Sequence, residues 1–126
     1  GAPWATALGK FSYPKVDLWE DDEKFVIEAA VPGLSKENIN IEIKEENGKK
    51  CLIISAEKEE RKEENKRNYY YKERKMSSFS RPFCLDKNVD VDKINAELKD
   101  GILVVNIPKI TPTEINKDEV KKIEIK

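Results

Sequence analysis

The chain has 126 residues, the size of one domain with a single core and short tails. Hydrophobic residues make up 38% and charged residues 39%, with 24 Lys plus Arg against 25 Asp plus Glu and a formal net charge of −1. So balanced a charge argues against nucleic-acid or membrane binding driven by a basic field, and the absence of His removes the commonest general base and most zinc and haem sites.

In chain order, Gly1 to Pro14 reads as short and irregular, with Trp4, Phe11 and Tyr13 among small residues and no signal-peptide core. The chain begins without Met, which is expected to mark a trimmed or tagged start. Alternation of period two then takes over. Phe25, Ile27, Ala29 and Val31 alternate with Val26, Glu28 and Ala30, and Ile39, Ile41 and Ile43 alternate with Asn40, Glu42 and Lys44. This is the pattern of strands with one face on a core and one in water. Between these runs Pro32-Gly33 has the residues of a type II turn, and after them Asn47-Gly48 marks a tight hairpin. Leu52-Ile53-Ile54 is apolar throughout, as a central strand covered on both faces would be.

The stretch from Glu57 to Lys75 breaks the pattern. Its first half has high helix propensity but no apolar stripe, and most of its i,i+4 pairs repel. Lys58/Lys62, Glu59/Glu63, Glu60/Glu64 and Lys62/Lys66 are like-charged, while Glu57/Arg61 and Glu63/Arg67 attract. The expectation is a long solvated loop. Within it Tyr69-Tyr70-Tyr71 predicts a strand that pairs with something away from the loop's own base. Further on, Ile94, Ala96 and Leu98 alternate with Asn95 and Glu97, and Asp100-Gly101 marks a second hairpin. Ile102-Leu103-Val104-Val105 reads as another central strand, covered on both faces or nearly so. Lys109 to Lys122 has no alternation, and Ile123-Glu124-Ile125 follows it. Short strands, frequent turn signals and no convincing amphipathic helix predict an all-β sandwich.

Motifs that carry chemistry are scarce. Cys51 and Cys84 lack a CxxC partner, so two free buried thiols are expected rather than a disulfide or a metal site, in a reducing, cytoplasmic setting. No apolar run approaches the ~18 residues of a membrane span. Gly9-Lys10-Phe11 lacks both the upstream Gly and the Ser or Thr of a phosphate loop. Asp21-Asp22-Glu23 falls in a predicted turn, where carboxylates keep a sheet edge soluble. Tyr69 to Tyr71, flanked by Lys66, Arg67, Lys72 and Arg74, has the make-up of a nucleic-acid stacking platform, but Glu63, Glu64 and Glu73 weaken its field. No nucleophile has a visible base, and no catalytic residue, cofactor or metal is expected.

Four motifs, in order, carry a resemblance that runs from Pro14 to Lys126. Ala96-Glu97-Leu98-Lys99-Asp100-Gly101-Ile102-Leu103 fits an A-x-x-x-x-G-x-L signature, Val31-Pro32-Gly33-Leu34 a proline-glycine turn, Phe79-Ser80-Arg81 an aromatic-x-Arg step, and Ile123-Glu124-Ile125 an I-x-I tail. Together they resemble the small heat-shock proteins, whose shared core is the α-crystallin domain. The departures are Pro82 after Arg81, Cys84 at a usually basic position and Asp86 where Pro is common. Pro82 removes a ladder donor, so a bulge or a sheet edge is expected there.

The resemblance implies an immunoglobulin-like sandwich of the α-crystallin type, with an arm over residues 1–14, a domain over 15–109 and an extension over 110–126. It implies the bacterial and plant subtype, in which the loop's strand, here Tyr69 to Arg74, crosses to the partner subunit and pairs with its Val16 to Glu20. Val16, Leu18, Trp19, Tyr69, Tyr70, Tyr71 and Arg81 would then form the dimer interface, although Arg81 reads equally as a solvent-facing strand residue. Ile123 and Ile125 would anchor in a groove carrying Ile41, Ile43, Ala96 and Leu98, building larger homo-oligomers, and Trp4, Phe11 and Tyr13 would touch clients. The implied function is that of an ATP-independent holdase chaperone of the cytoplasm that keeps partly unfolded proteins from aggregating. A co-chaperone adaptor of the CS-domain kind is the alternative.

Overall fold

The computed structural model describes residues 5–7, 13–66, 69–110 and 125; for residues 5–7, 61–66 and 69–75 the description is of the backbone. Among the described residues eight strands follow one another: β1 (Ala5–Ala7), β2 (Lys15–Glu20), β3 (Lys24–Ala30), β4 (Ile39–Glu46), β5 (Lys49–Lys66), β6 (Tyr69–Leu85), β7 (Asn95–Lys99) and β8 (Ile102–Pro108). They form two four-stranded sheets, β1-β6-β5-β4 and β2-β3-β8-β7, antiparallel throughout. The expected all-β sandwich is what the chain builds.

The turn dipeptides act as their chemistry requires. Asn47 and Gly48 take φ of 54° and 76°, and Asp100 and Gly101 take 52° and 76°, the paired positive angles of a hairpin turn whose twist matches its strands. Gly33 sits at φ 81°, and the Leu34 amide donates to the Val31 carbonyl at 3.2 Å to close the type II turn.

Alternation then selects the core. Phe25, Ile27 and Ala29 of β3 and Leu103, Val105 and Ile107 of β8 face Leu52 and Ile54 of β5 and Phe83 and Leu85 of β6, all of them buried. Removing one of these side chains would cost roughly 2–5 kcal/mol.

Five expectations need correction or narrowing. The segment 57–75 is no open loop: β5 and β6 run as one ribbon, paired in unbroken register from Cys51↔Cys84 out to Lys66↔Tyr69. The register sets Glu60 opposite Lys75, Lys62 opposite Glu73 and Glu63 opposite Lys72, so three charges that repel along a helix lie across from opposite charges in the hairpin, while Arg61 stands opposite Arg74. Ala5–Ala7, read as irregular, adds a strand to the sheet by pairing with Phe83 to Leu85 of β6. β8 is covered on one face only, since Ile102 keeps 40% of its surface exposed. Val26 departs from the alternation in the opposite sense: it points outward yet is fully buried, with Trp19 and Asn106 beside it in register. At Pro82 the ladder has no bulge. Pro82 stands opposite Ile53, and β1 as described ends opposite Phe83, so the missing donor falls where β6 begins to run as an edge.

Candidate binding groove and sheet edges

β4 and β7 are the outer strands of their respective sheets, and the gap between them is a groove of about 520 Å³. Its floor is apolar, from Ile39 and Ile41 on β4, Ala96 and Leu98 on β7, and Leu103 beneath. Alternation explains the choice: Ile39 and Ile41 pair with Ala56 and Ile54, so they share the inward face of the sheet, but among the described residues no further strand covers them at the edge. The rim is a single 3-10 turn, Lys36–Asn38, entered through Ser35. Asn38 Oδ1 accepts from both the Ser35 amide (2.9 Å) and the Ser35 hydroxyl (3.0 Å), which fixes the turn over the groove mouth. Glu37 on this rim has its carboxyl held below the ordinary value, chiefly by a bond from its own backbone N–H.

Of the residues expected in a groove, Ile41, Ala96 and Leu98 line it. Ile43 does not. It lies two residues nearer the Asn47-Gly48 turn, about 7 Å along the strand, with 38% of its surface exposed. Ile39 and the 3-10 rim were missed, although Ile39 opens the same alternating run. Ile125 exposes 99% of its surface, and Ile123 lies outside the described residues.

The opposite side of the sandwich is built differently. Arg81 shares the inward parity of Phe79 and Phe83, and only 8% of it is exposed. Its Nη1 donates to the Pro14 carbonyl at 3.0 Å, and its guanidinium stacks 5.3 Å from the Phe83 ring centre. Burial pushes its pKa down from the usual arginine value. The solvent-facing reading of Arg81 is therefore wrong: the side chain holds the entry to β2 against β6. Next to it Tyr13 meets Phe79 edge to face, with ring centres 5.5 Å apart. Trp4 and Phe11, the other aromatic residues of the expected arm, lie outside the described residues.

Beyond this clamp, β2 is the outermost strand of its sheet and has a strand neighbour on one side only among the described residues. Val16 and Leu18 pack partly against the core, while exposed Trp19 donates through Nε1 to Glu28 at 3.2 Å. Tyr69, Tyr70 and Tyr71 stand opposite Lys66, Asn65 and Glu64 of their own chain. Asp21 ties off the β2–β3 turn, accepting from the amides of Glu23 (2.8 Å) and Lys24 (2.9 Å), and those two bonds hold its carboxyl below the ordinary value. Among the described residues no cluster of His, Cys, Asp or Glu could hold a metal ion, and no helix is long and apolar enough to cross a membrane.

Two antiparallel sheets, a groove between their β4 and β7 edges and a long ribbon projecting from one sheet define a protein of the α-crystallin-domain class. A family model described as the Hsp20/alpha crystallin family matches residues 17–126, and the chain belongs to that family of small heat shock chaperones. It is 36% identical over 115 residues to the 16.9 kDa class I heat shock protein 3 of Oryza sativa subsp. japonica, covering 91% of this chain and 73% of that one. It is 37% identical over 115 residues to the 18.1 kDa class I heat shock protein of Pisum sativum, covering 91% and 69%. Among solved structures it is similar to heat shock protein 16.0 from Schizosaccharomyces pombe, with a TM-score of 0.61 at 31% identity over 94% of this chain and 86% of that one. The small heat-shock protein of Xylella fastidiosa gives 0.58 at 28% identity, covering 90% and 95%.

Proposed function

We propose that this chain is an ATP-independent holdase that binds partly unfolded proteins and keeps them from aggregating, working in a reducing cytoplasm as a homo-oligomer built from dimers. The observation that carries this reading is the open apolar groove between β4 and β7. A groove floored by Ile39, Ile41, Ala96 and Leu98 takes any short extended segment with two apolar side chains on one face, which is what unfolding chains expose. Binding that segment lowers the aggregation-prone pool by mass action and needs no chemistry. The 39% of charged residues keeps the loaded complex in solution.

The same groove fits the chain's own tail. Ile123 and Ile125 in an extended strand place their side chains on one face ~7 Å apart, and Ile125 stands free of its own domain. Each isoleucine would contribute roughly 1.5–3 kcal/mol before ordering costs, so single links open often while many together hold an assembly. The domain of residues 15–109 would thus bind through the extension of residues 110–126 of a neighbouring dimer. For the dimer, the open edge of β2 is the receiving strand and the outer half of the ribbon, Tyr69 to Arg74, the visiting one, which requires the ribbon to open at its tip. Aromatic residues of the arm, Trp4, Phe11 and Tyr13, add client contacts.

The test is a client-aggregation assay by light scattering, with and without ATP. Equal suppression in both arms is expected, and suppression that requires ATP would refute the holdase reading. Replacing Asn65 to Lys75 with a short linker should leave a folded monomer, and a dimer of undiminished mass would refute the exchange.

A further inference from the structure

The outer face of the β5–β6 sheet carries two thiols that neither the groove nor the edges use. Cys51 of β5 and Cys84 of β6 are 33 residues apart in sequence but stand directly opposite in register, and their Sγ atoms lie 2.7 Å apart. Both thiols are free. Direct antiparallel partners have Cα atoms about 4.5–5.5 Å apart, inside the roughly 4.4–6.8 Å span of disulfides. A covalent S–S bond is about 2.0 Å, so closure needs less than an ångström of side-chain movement. Neither thiol belongs to the central apolar cluster, which lies on the other face of the sheet. Cys84 is buried and Cys51 is half-buried, so an incoming reagent meets Cys51 first.

We propose that Cys51 and Cys84 are a redox modification site, a dithiol that a small disulfide such as oxidised glutathione closes into a cross-strand bridge at the root of the β5–β6 ribbon. In the first step the Cys51 thiolate attacks one sulfur of the reagent. The reagent's S–S bond breaks, one glutathione thiolate leaves, and Cys51 carries a mixed disulfide. The Cys84 thiolate, already in contact, then attacks Cys51 Sγ and expels the second glutathione. Two protein thiols are oxidised, the reagent is reduced to two thiols, and the two protons lost by the cysteines go to the two glutathione thiolates.

The surroundings set the pace. The Cys51 thiol is pushed up from its ordinary value by its hydrogen bond with Cys84, then by burial and by the charge Cys84 takes on when ionised, with Glu46 adding to this and Lys49 opposing it. Lys44 faces Cys51 from β4 and uncharged Thr6 faces Cys84 from β1 in register. At neutral pH Cys51 therefore rests as a thiol, and its attack on the reagent is slow. The bridge would close a loop that contains the whole ribbon, holding its root shut, with Tyr69 to Arg74 at the far end of that loop.

The full-length chain is incubated with oxidised glutathione, alkylated, and weighed intact. The expected product is a single chain lighter by two hydrogens with no alkylatable thiol, a melting midpoint raised by about 5–10 °C, and reversal of both by dithiothreitol. Cys84→Ser should instead trap glutathione on Cys51 with no rise in midpoint. If that variant does not fold, the mass and thiol count of the parent chain still decide. Thiols that stay free after equilibration, a persistent glutathione adduct, disulfide-linked dimers, or a bridge that leaves the midpoint unchanged would each overturn the proposal.

Discussion

The two sides of the sandwich face the same physical problem, a gap between the outer strands of two sheets, and they close it in opposite ways. On the side of β1 and β2 the chain fills its own gap with a buried cation: Arg81 reaches the Pro14 carbonyl and lies against Phe83, with Tyr13 on Phe79 beside it. On the side of β4 and β7 no such side chain among the described residues reaches across, and Ile39, Ile41 and Leu98 are left as partly buried lining. A charge-assisted hydrogen bond is directional and accepts one partner in one geometry. An apolar trough is indifferent to sequence beyond size and spacing. The difference teaches why the binding proposed above is assigned to the apolar side: the polar side is closed by the chain's own Arg81, and the apolar groove presents no such directional group.

Breaking the clamp should cost most. Arg81→Ala leaves the Pro14 carbonyl without its donor and opens a hole beside Phe83, so urea unfolding is expected to show a loss of about 2–3 kcal/mol. Arg81→Lys should recover less than half, because an ammonium lacks the planar fork that both donates and stacks. Tyr13→Ala removes the edge-to-face contact with Phe79 and should cost about 1 kcal/mol in the same measurement. On the groove side the balance reverses. Ala96 is exposed, so Ala96→Glu should change stability by less than about 0.5 kcal/mol while placing a carboxylate on the groove floor. Size-exclusion chromatography with light scattering should show assemblies above the dimer lost or much reduced. Ile123→Ala with Ile125→Ala should reproduce that loss, and an unchanged mass in both variants would separate the groove from assembly.

Acid should also tell the two sides apart, with the smallest effect. The Glu37 carboxyl is held below its ordinary value of 4.5, so its rim contribution is complete above that pH and is lost as the pH falls through the lower folded value. Arg81 stays protonated throughout that range. Amide exchange followed by NMR should therefore show the Asn38 amide, which donates to the Ser35 carbonyl at 3.0 Å, losing protection as the pH falls below 4.5 and before amides around the Arg81 clamp do. Simultaneous loss on both sides would show that the rim is not separately titrated.

Much of the sandwich could be read from residues that act locally. Asn47-Gly48, Asp100-Gly101 and Pro32-Gly33 impose their backbone angles wherever they occur, and the alternating isoleucines of β4 declare a face without help from the rest of the chain. What could not be read depends on partners distant in sequence. Glu57 to Lys66 looks like a frustrated helix because helical arithmetic compares residues four apart, whereas its stabilising neighbours are the residues opposite in β6. Ala5–Ala7 has side chains too small to show a period. Cys51 and Cys84 look unrelated until the register brings them together. Arg81 is the instructive miss, since Phe79, Arg81 and Phe83 alternate, and that parity already pointed the guanidinium inward.

The pairing of β3 with β8 joins Lys24 to Pro108 and Ala30 to Ile102, contacts among the most remote along the chain, whereas β4, β5 and β6 are consecutive hairpins. Chains with such distant contacts close them late, after local hairpins have zipped. During synthesis the Phe25-Val26-Ile27 segment therefore leaves the ribosome long before the strand that will cover it exists. For that interval the nascent chain displays an unprotected apolar strand of its own, the same hazard that we propose the finished protein restrains in others.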